Sequence, residues 1–200
     1  MDAATEVFAA NGLDGANVED IARRAGVAKG TIYLYFKSKD EILDAILLER
    51  WPGPYLARLS PDMAMVPELR GPIEVGLERF ALGFLEAVEQ NFDVFRLAIA
   101  EAYRYPDRGE HLFESTFLRA NRMLAAYLEG QAEAGVIAPM KCSIITARCL
   151  QGMLMTYILS QELLQGKKYT PIDRRDWVRE AVRLFLNGAR VSDPQEGQTA

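Results

Sequence analysis

The first fifty residues carry more helix start and stop signals than long helices could accommodate, and this crowding constrains the fold most. Asn17, a good N-cap, precedes Val18-Glu19-Asp20-Ile21-Ala22, with Asp20 where a capping box wants its acid. Gly26 follows Ala25 and suits a left-handed C-cap. Ser38-Lys39-Asp40-Glu41 is a full capping box opening a helix with Ile42, Leu43, Ile46 and Leu47 inside. Upstream, Ala4, Val7 and Phe8 form a short apolar stripe that Asn11-Gly12 stops. Short helices joined by tight turns use all of these signals.

Thr31-Ile32-Tyr33-Leu34-Tyr35-Phe36 is the one segment in conflict with this reading. Its β-branched and aromatic residues favour a strand by propensity. It does not alternate, it lies between two capped helices, and no second strand is near to pair with it. The spacing predicts a short helix, and a segment at odds with its context is a candidate functional site.

Prolines at 52, 54, 61, 67 and 72 mark the stretch where a domain boundary is expected. Helical stripes follow over Ile73 to Glu89, Phe92 to Tyr103 and His111 to Ala134. After Pro139, Ser143 to Gln165 is apolar nearly all round, and Asp173 to Ala189 is amphipathic. The expected organisation is all-α: residues 1–50 as a three-helix helix-turn-helix domain, 51–190 as a larger helical domain, and 191–200 as a loose polar tail.

Composition removes several classes of function. One histidine, His111, leaves no His-based triad or His/Cys zinc site, and no Gly-rich phosphate loop is present, so neither an enzyme nor a metal or cofactor is expected. His111 falls at an expected helix start on the surface. Cys142 and Cys149, if on one helix, are two turns or ~10 Å apart, too far for a disulfide. Both are expected to be buried and inert. No apolar run approaches a membrane span and no signal-peptide core opens the chain, so a cytoplasmic protein without membrane contact is expected.

The net charge of −5 is wrong for a general nucleic-acid binder, but its distribution is uneven. Arg23, Arg24, Lys29, Lys37 and Lys39 make residues 21–39 a basic island without an acid. On a helix starting after Ala28, Lys29, Tyr33 and Lys37 share a face with Gly30 and Leu34 beside them; Ile32 and Phe36 point the other way, toward a core. Gly30 allows close backbone approach to DNA, Thr31 offers a methyl and a hydroxyl to a groove, and Tyr33 and Tyr35 offer hydroxyls to phosphates. Lys29, Lys37, Lys39 and the helix starts at Asn17-Val18 and Ala28-Lys29 complete a candidate phosphate-binding surface.

Val18 to Leu43, VEDIARRAGVAKGTIYLYFKSKDEIL, resembles the DNA-binding domain of the TetR family of bacterial transcriptional regulators. The resemblance rests on Ile21-Ala22, Ala25-Gly26-Val27, Gly30-Thr31-Ile32-Tyr33, Tyr35-Phe36 and Lys39. It implies a recognition helix over Lys29–Phe36, a phosphate contact from Lys39, and double-stranded operator DNA as partner. Asn17 stands where the family commonly has Thr and Ala28 where it has Ser or Thr, which removes one phosphate contact. The chain begins almost inside the first helix, so either the natural start lies upstream or DNA affinity is low.

The resemblance further implies a homodimer through the last two helices and a small-molecule effector in the second domain. Cys149, Gly152, Met153, Thr156, Trp177, Ala181, Phe185 and Gly188 are the interface candidates. Phe80, Phe84, Phe95, Tyr103, Phe113, Phe117 and Tyr127 are candidate pocket lining, with Glu101 and Arg122 as polar contacts. A salt bridge from Glu101 to an arginine is the competing role for that residue. The expected function is a repressor released from its operator by a largely apolar effector. The alternative is a regulator without such a ligand, controlled by a protein partner or by thiol oxidation.

Overall fold

The structure, a computed structural model, describes residues 1–50 and 69–189. Among these residues it is helical with no strand. The expected tail at 191–200 and the prolines at 52, 54, 61 and 67 lie outside the described residues. Helices α1 (Asp2–Gly15), α2 (Val18–Ala25), α3 (Lys29–Tyr35) and α4 (Lys39–Arg50) come first. Then follow α5 (Ile73–Gln90), α6 (Phe92–Arg104), α7 (Pro106–Leu112) and, after a π-helical stretch over Phe113–Leu118, α8 (Arg119–Glu133). Helix α9 (Ser143–Tyr157) runs into a second π-helical stretch (Ile158–Leu163), and α10 (Arg174–Ala189) closes the described chain.

The described chain packs as two compact units, one of residues 1–50 with 87–117, the other of 69–86 with 118–189. The expected division at residue 50 is by function; packing instead adds α6 and α7 to the first unit. In that unit α1 packs against α2, α4 and α6. Its core is Phe8 and Leu13 from α1, Ile42, Leu43 and Ile46 from α4, and Val94, Phe95 and Ala98 from α6, all buried. In the second unit α9 packs on α8 and α10, with Leu128, Ala147, Leu150, Leu154, Val178 and Val182 buried.

The local signals act as read, with exceptions. Gly12 breaks α1 at φ 66°, a backbone that glycine adopts without strain. Gly26 caps α2 in the left-handed region, and Val27 N–H closes back on the Ala22 carbonyl at 3.0 Å. The helix expected from His111 begins earlier: Pro106 occupies its first turn, where no backbone donor is needed, and His111 sits exposed near the end of α7. Cys142 and Cys149 are both exposed, against expectation. Ala147, Leu150 and Leu154 take the buried face of α9, which turns Cys149 outward.

Candidate nucleic-acid interface

The helix-turn-helix is built by three local devices. The Asn17 side chain accepts a hydrogen bond from Glu19 N–H at 3.0 Å and starts α2. Asp20 does not complete the capping box, because its carboxylate pairs with Arg23. The Gly26 cap turns the chain, and α3 begins three residues later without a side-chain cap at Ala28. The Ser38 hydroxyl accepts from Glu41 N–H at 3.2 Å, while the Glu41 carboxylate accepts from Lys37 N–H at 2.7 Å, one residue before the position a capping box uses.

These devices present α3 as an outward ridge. Ile32 is buried and Phe36, the residue after the helix, is half-buried, so one face anchors. The rest of the helix surface carries Tyr33, Leu34 and Tyr35 at 48%, 82% and 77% exposure. Large apolar side chains this exposed on a seven-residue helix mark a binding surface rather than a core. Gly30 leaves open space around its α-carbon, as close approach of a nucleic-acid backbone requires. Asn17, Ala28, Thr31 and Lys37 are also exposed, whereas the Val18 side chain is buried and only its backbone can reach outward.

Two of the expected phosphate ligands have partners within the chain. Lys29 forms an ion pair with Glu19, whose carboxyl that hydrogen bond and charge hold below its ordinary range. The Lys39 ammonium donates to the carbonyls of Asp14 and Ala16 at 3.0 and 2.9 Å, joining the start of α4 to the end of α1. It keeps one N–H for an outside acceptor.

Behind this surface lies a polar cluster that sequence reasoning missed. Arg108 bridges Glu101 and Asp40. The Tyr105 hydroxyl donates to Asp14, 2.9 and 3.0 Å from its two carboxylate oxygens, and Arg104 pairs with the same group at 2.7 Å. The Arg108 guanidinium lies 4.7 Å from the centre of the Tyr105 ring. Glu101 is buried, and burial with the nearby Asp14 charge pushes its carboxyl up, opposed by the Leu13 N–H and Arg104. Asp14 lies in the last turn of α1 and Asp40 in the first turn of α4, so α6 and α7 hold both helices that flank the helix-turn-helix.

The remaining expected site residues are dispersed. Phe95, Glu101, Tyr103, Phe113 and Phe117 belong to the first unit; Phe80, Phe84, Arg122 and Tyr127 belong to the second. Tyr103 is 93% exposed, and Phe113 and Arg122 are exposed, so the free protomer does not enclose them. Glu101 takes the salt-bridge role, with Arg108. Tyr127 is buried with no hydrogen-bond partner for its hydroxyl, a state that costs about 1–3 kcal/mol. On α9, Cys149, Gly152 and Thr156 are exposed and Met153 is half-buried. On α10, Trp177 donates to the Met153 carbonyl at 3.1 Å, Ala181 and Phe185 are buried, and Gly188 is exposed. No helix among the described residues is long and apolar enough to cross a membrane.

The sequence pattern described as "Bacterial regulatory proteins, tetR family" matches residues 1–46. That of the "AefR-like transcriptional repressor, C-terminal domain" matches residues 76–188, more than half of the chain. This chain belongs to the TetR family. The two patterns describe bacterial regulatory proteins and a transcriptional repressor, not enzymes.

Other TetR-like proteins share sequence or fold with it. The Fatty acid metabolism regulator protein of Bacillus subtilis (strain 168) is 48% identical over 63 residues, 32% of each chain. The match thus spans about a third of that relative's length. A transcriptional regulator from Rhodococcus sp. Rha1 has a solved structure 25% identical to this chain, with TM-score 0.71 and 96% of each chain covered. FadR from Bacillus subtilis, solved in complex with stearoyl-CoA, is 22% identical, with TM-score 0.70 and coverage of 94% of this chain and 97% of that one. At that identity the likeness is one of fold.

Proposed function

We propose that this TetR-family protein is a repressor that binds operator DNA as a homodimer and is released by a largely apolar effector, with long-chain acyl-CoA the class to try first. The exposed Tyr33-Leu34-Tyr35 ridge beside Gly30, anchored by buried Ile32, carries the DNA-binding part of this reading. The effector class is supported by the likeness of residues in this chain to a fatty acid metabolism regulator and by the shared fold of a protein solved with stearoyl-CoA. The dimer is supported by an exposed stripe on α9: Ile145, Cys149, Gly152 and Thr156, spaced four, three and four apart. A coiled-coil-like seam of this kind joins two copies and sets their recognition helices about one DNA turn apart, ~34–36 Å.

The test is binding of the purified protein to DNA from upstream of its own gene, across a salt series, with and without stearoyl-CoA. The expected result is saturable binding by two protomers per site, steep loss with salt, and release by stearoyl-CoA at micromolar concentration. Tyr33→Ala should weaken operator binding while the protein remains dimeric. Equal affinity of Tyr33→Ala and the parent would remove Tyr33 from the interface. One observation favours the alternative of thiol control: both cysteines are exposed, Cys142 beside Lys141 on the wall of an open groove of about 420 Å³. Release by oxidant, reversed by reductant and unaffected by acyl-CoA, would select that reading.

A further inference from the structure

We propose that the Tyr127 hydroxyl selects the effector by donating a hydrogen bond to a neutral carbonyl oxygen on an otherwise apolar molecule. This inference rests on the effector reading above and adds to it the group that recognises the polar end. Tyr127 lies on α8 in the second unit at 6% exposure, and its hydroxyl has no partner. Phenylalanine would fill the same space without burying an oxygen. A buried polar atom without a partner in its own chain calls for an explanation, and a bound molecule is one that supplies it.

The surroundings define what that partner can be. The oxygen lies against α5 where Gly76 has no side chain: a Cβ there would stand 3.2 Å from the hydroxyl and 3.2 Å from the Leu69 carbonyl. Within about one helical turn of Gly76 on α5 and of Tyr127 on α8, Ile73, Leu77, Phe80, Met123 and Leu124 are buried and apolar, which favours a molecule that is apolar near its acceptor. Burial and the nearby Glu74 charge push the phenol's pKa up, which keeps the proton on Tyr127 and opposes a second negative charge. A donor that holds its proton, in an apolar place under a negative field, fits a thioester, ester or ketone carbonyl better than a carboxylate.

Lauroyl-CoA and S-dodecyl-CoA differ only in the carbonyl next to sulfur, and their dissociation constants for the wild type and Tyr127→Phe test the assignment. The wild type should bind the thioester about tenfold more tightly than the thioether, the effect of one buried hydrogen bond. Tyr127→Phe should bind both alike, at the thioether level. A thioester preference kept by Tyr127→Phe overturns the proposal. A ligand-free readout stands beside it: Tyr127→Phe should melt no lower than the wild type, because no bond is lost in the free protein. A clearly lower melting temperature shows that the hydroxyl is already satisfied, by water or protein, and overturns the proposal too. Binding of neither CoA compound to the wild type rejects the acyl-CoA reading alone. The same comparison is then made with 2-decanone and decane, where a ketone preference abolished by Tyr127→Phe supports the inference and no preference overturns it.

Discussion

Glu19 holds the Lys29 ammonium that a phosphate would use. The pair is exposed at the edge of the recognition surface, so it gives little stability and competes with DNA for the same ammonium. Glu19→Gln removes the competing charge and keeps the helix start, since Asn17 caps α2 through the Glu19 backbone. The variant should bind operator several-fold more tightly, and the slope of log affinity against log salt should steepen by about one per protomer. Fluorescence anisotropy over a salt series reads both quantities, and an unchanged slope would mean that Lys29 meets no phosphate. Lys39 is the contrasting case: its two bonds to the Asp14 and Ala16 carbonyls make this proposed phosphate ligand a structural joint as well. Removing it mixes a loss of fold with a loss of affinity. Neither pairing could be read from the sequence, because the partners lie ten or more residues away and the basic island looks the same whether its charges face solvent or carboxylates.

The elements themselves were largely readable, because their signals are local. The Asn17 cap, the Gly26 turn and the burial of Ile32 each depend on neighbours within a turn or two. Propensity failed at Thr31–Phe36, where flanking caps and one buried contact outweigh β-branched and aromatic preference. Which face of α9 packs inward was not readable from a helix apolar nearly all round, and so Cys149 came out exposed. The partner of Glu101 was hidden for another reason: Tyr105-Pro106 breaks the helix and lets Arg108 turn back onto it, while Asp40 arrives from 68 residues away. This cluster joins α6 and α7 to the ends of α1 and α4, and its buried acid gives it a pH signature. An acid whose folded pKa lies above its unfolded value contributes stability at low pH and loses that contribution as pH rises through the folded value. Glu101 is raised by burial and by Asp14, so the melting temperature of Glu101→Gln relative to the wild type should climb between pH 4 and pH 7. A relative fall over that range would show that the Arg108 pair, rather than burial, governs the carboxyl.

At the scale of the whole molecule, the proposed dimer would need a surface that the protomer leaves uncovered. Ile145 is 61% exposed and Leu184 is 50% exposed, while Cys149, Gly152 and Thr156 continue the α9 stripe. Ala181 and Phe185, expected in the interface, are already buried within the protomer, so α10 gives that face to its own core and α9 is left as the main candidate for the proposed seam. Thr156 tests this division because its side chain is exposed and bonds only back to the Gly152 carbonyl, at 2.9 Å on its own helix. Thr156→Arg should therefore leave the helical content of the protomer unchanged. Across a two-fold seam it places two like charges in a desolvated contact, a cost of about 3–5 kcal/mol that a dimer of ordinary affinity cannot absorb. Light scattering at micromolar protein should then find a monomer. Operator affinity should drop by about 100-fold, since each recognition helix must bind its half-site without the effective concentration supplied by the other. A variant that stays dimeric and holds its operator would move the seam off this face of α9, leaving the exposed face of α10 around Leu184 and Gly188 to join the copies. A variant that turns monomeric yet keeps full operator affinity would break the link between the two-fold axis and DNA recognition on which the repressor reading depends.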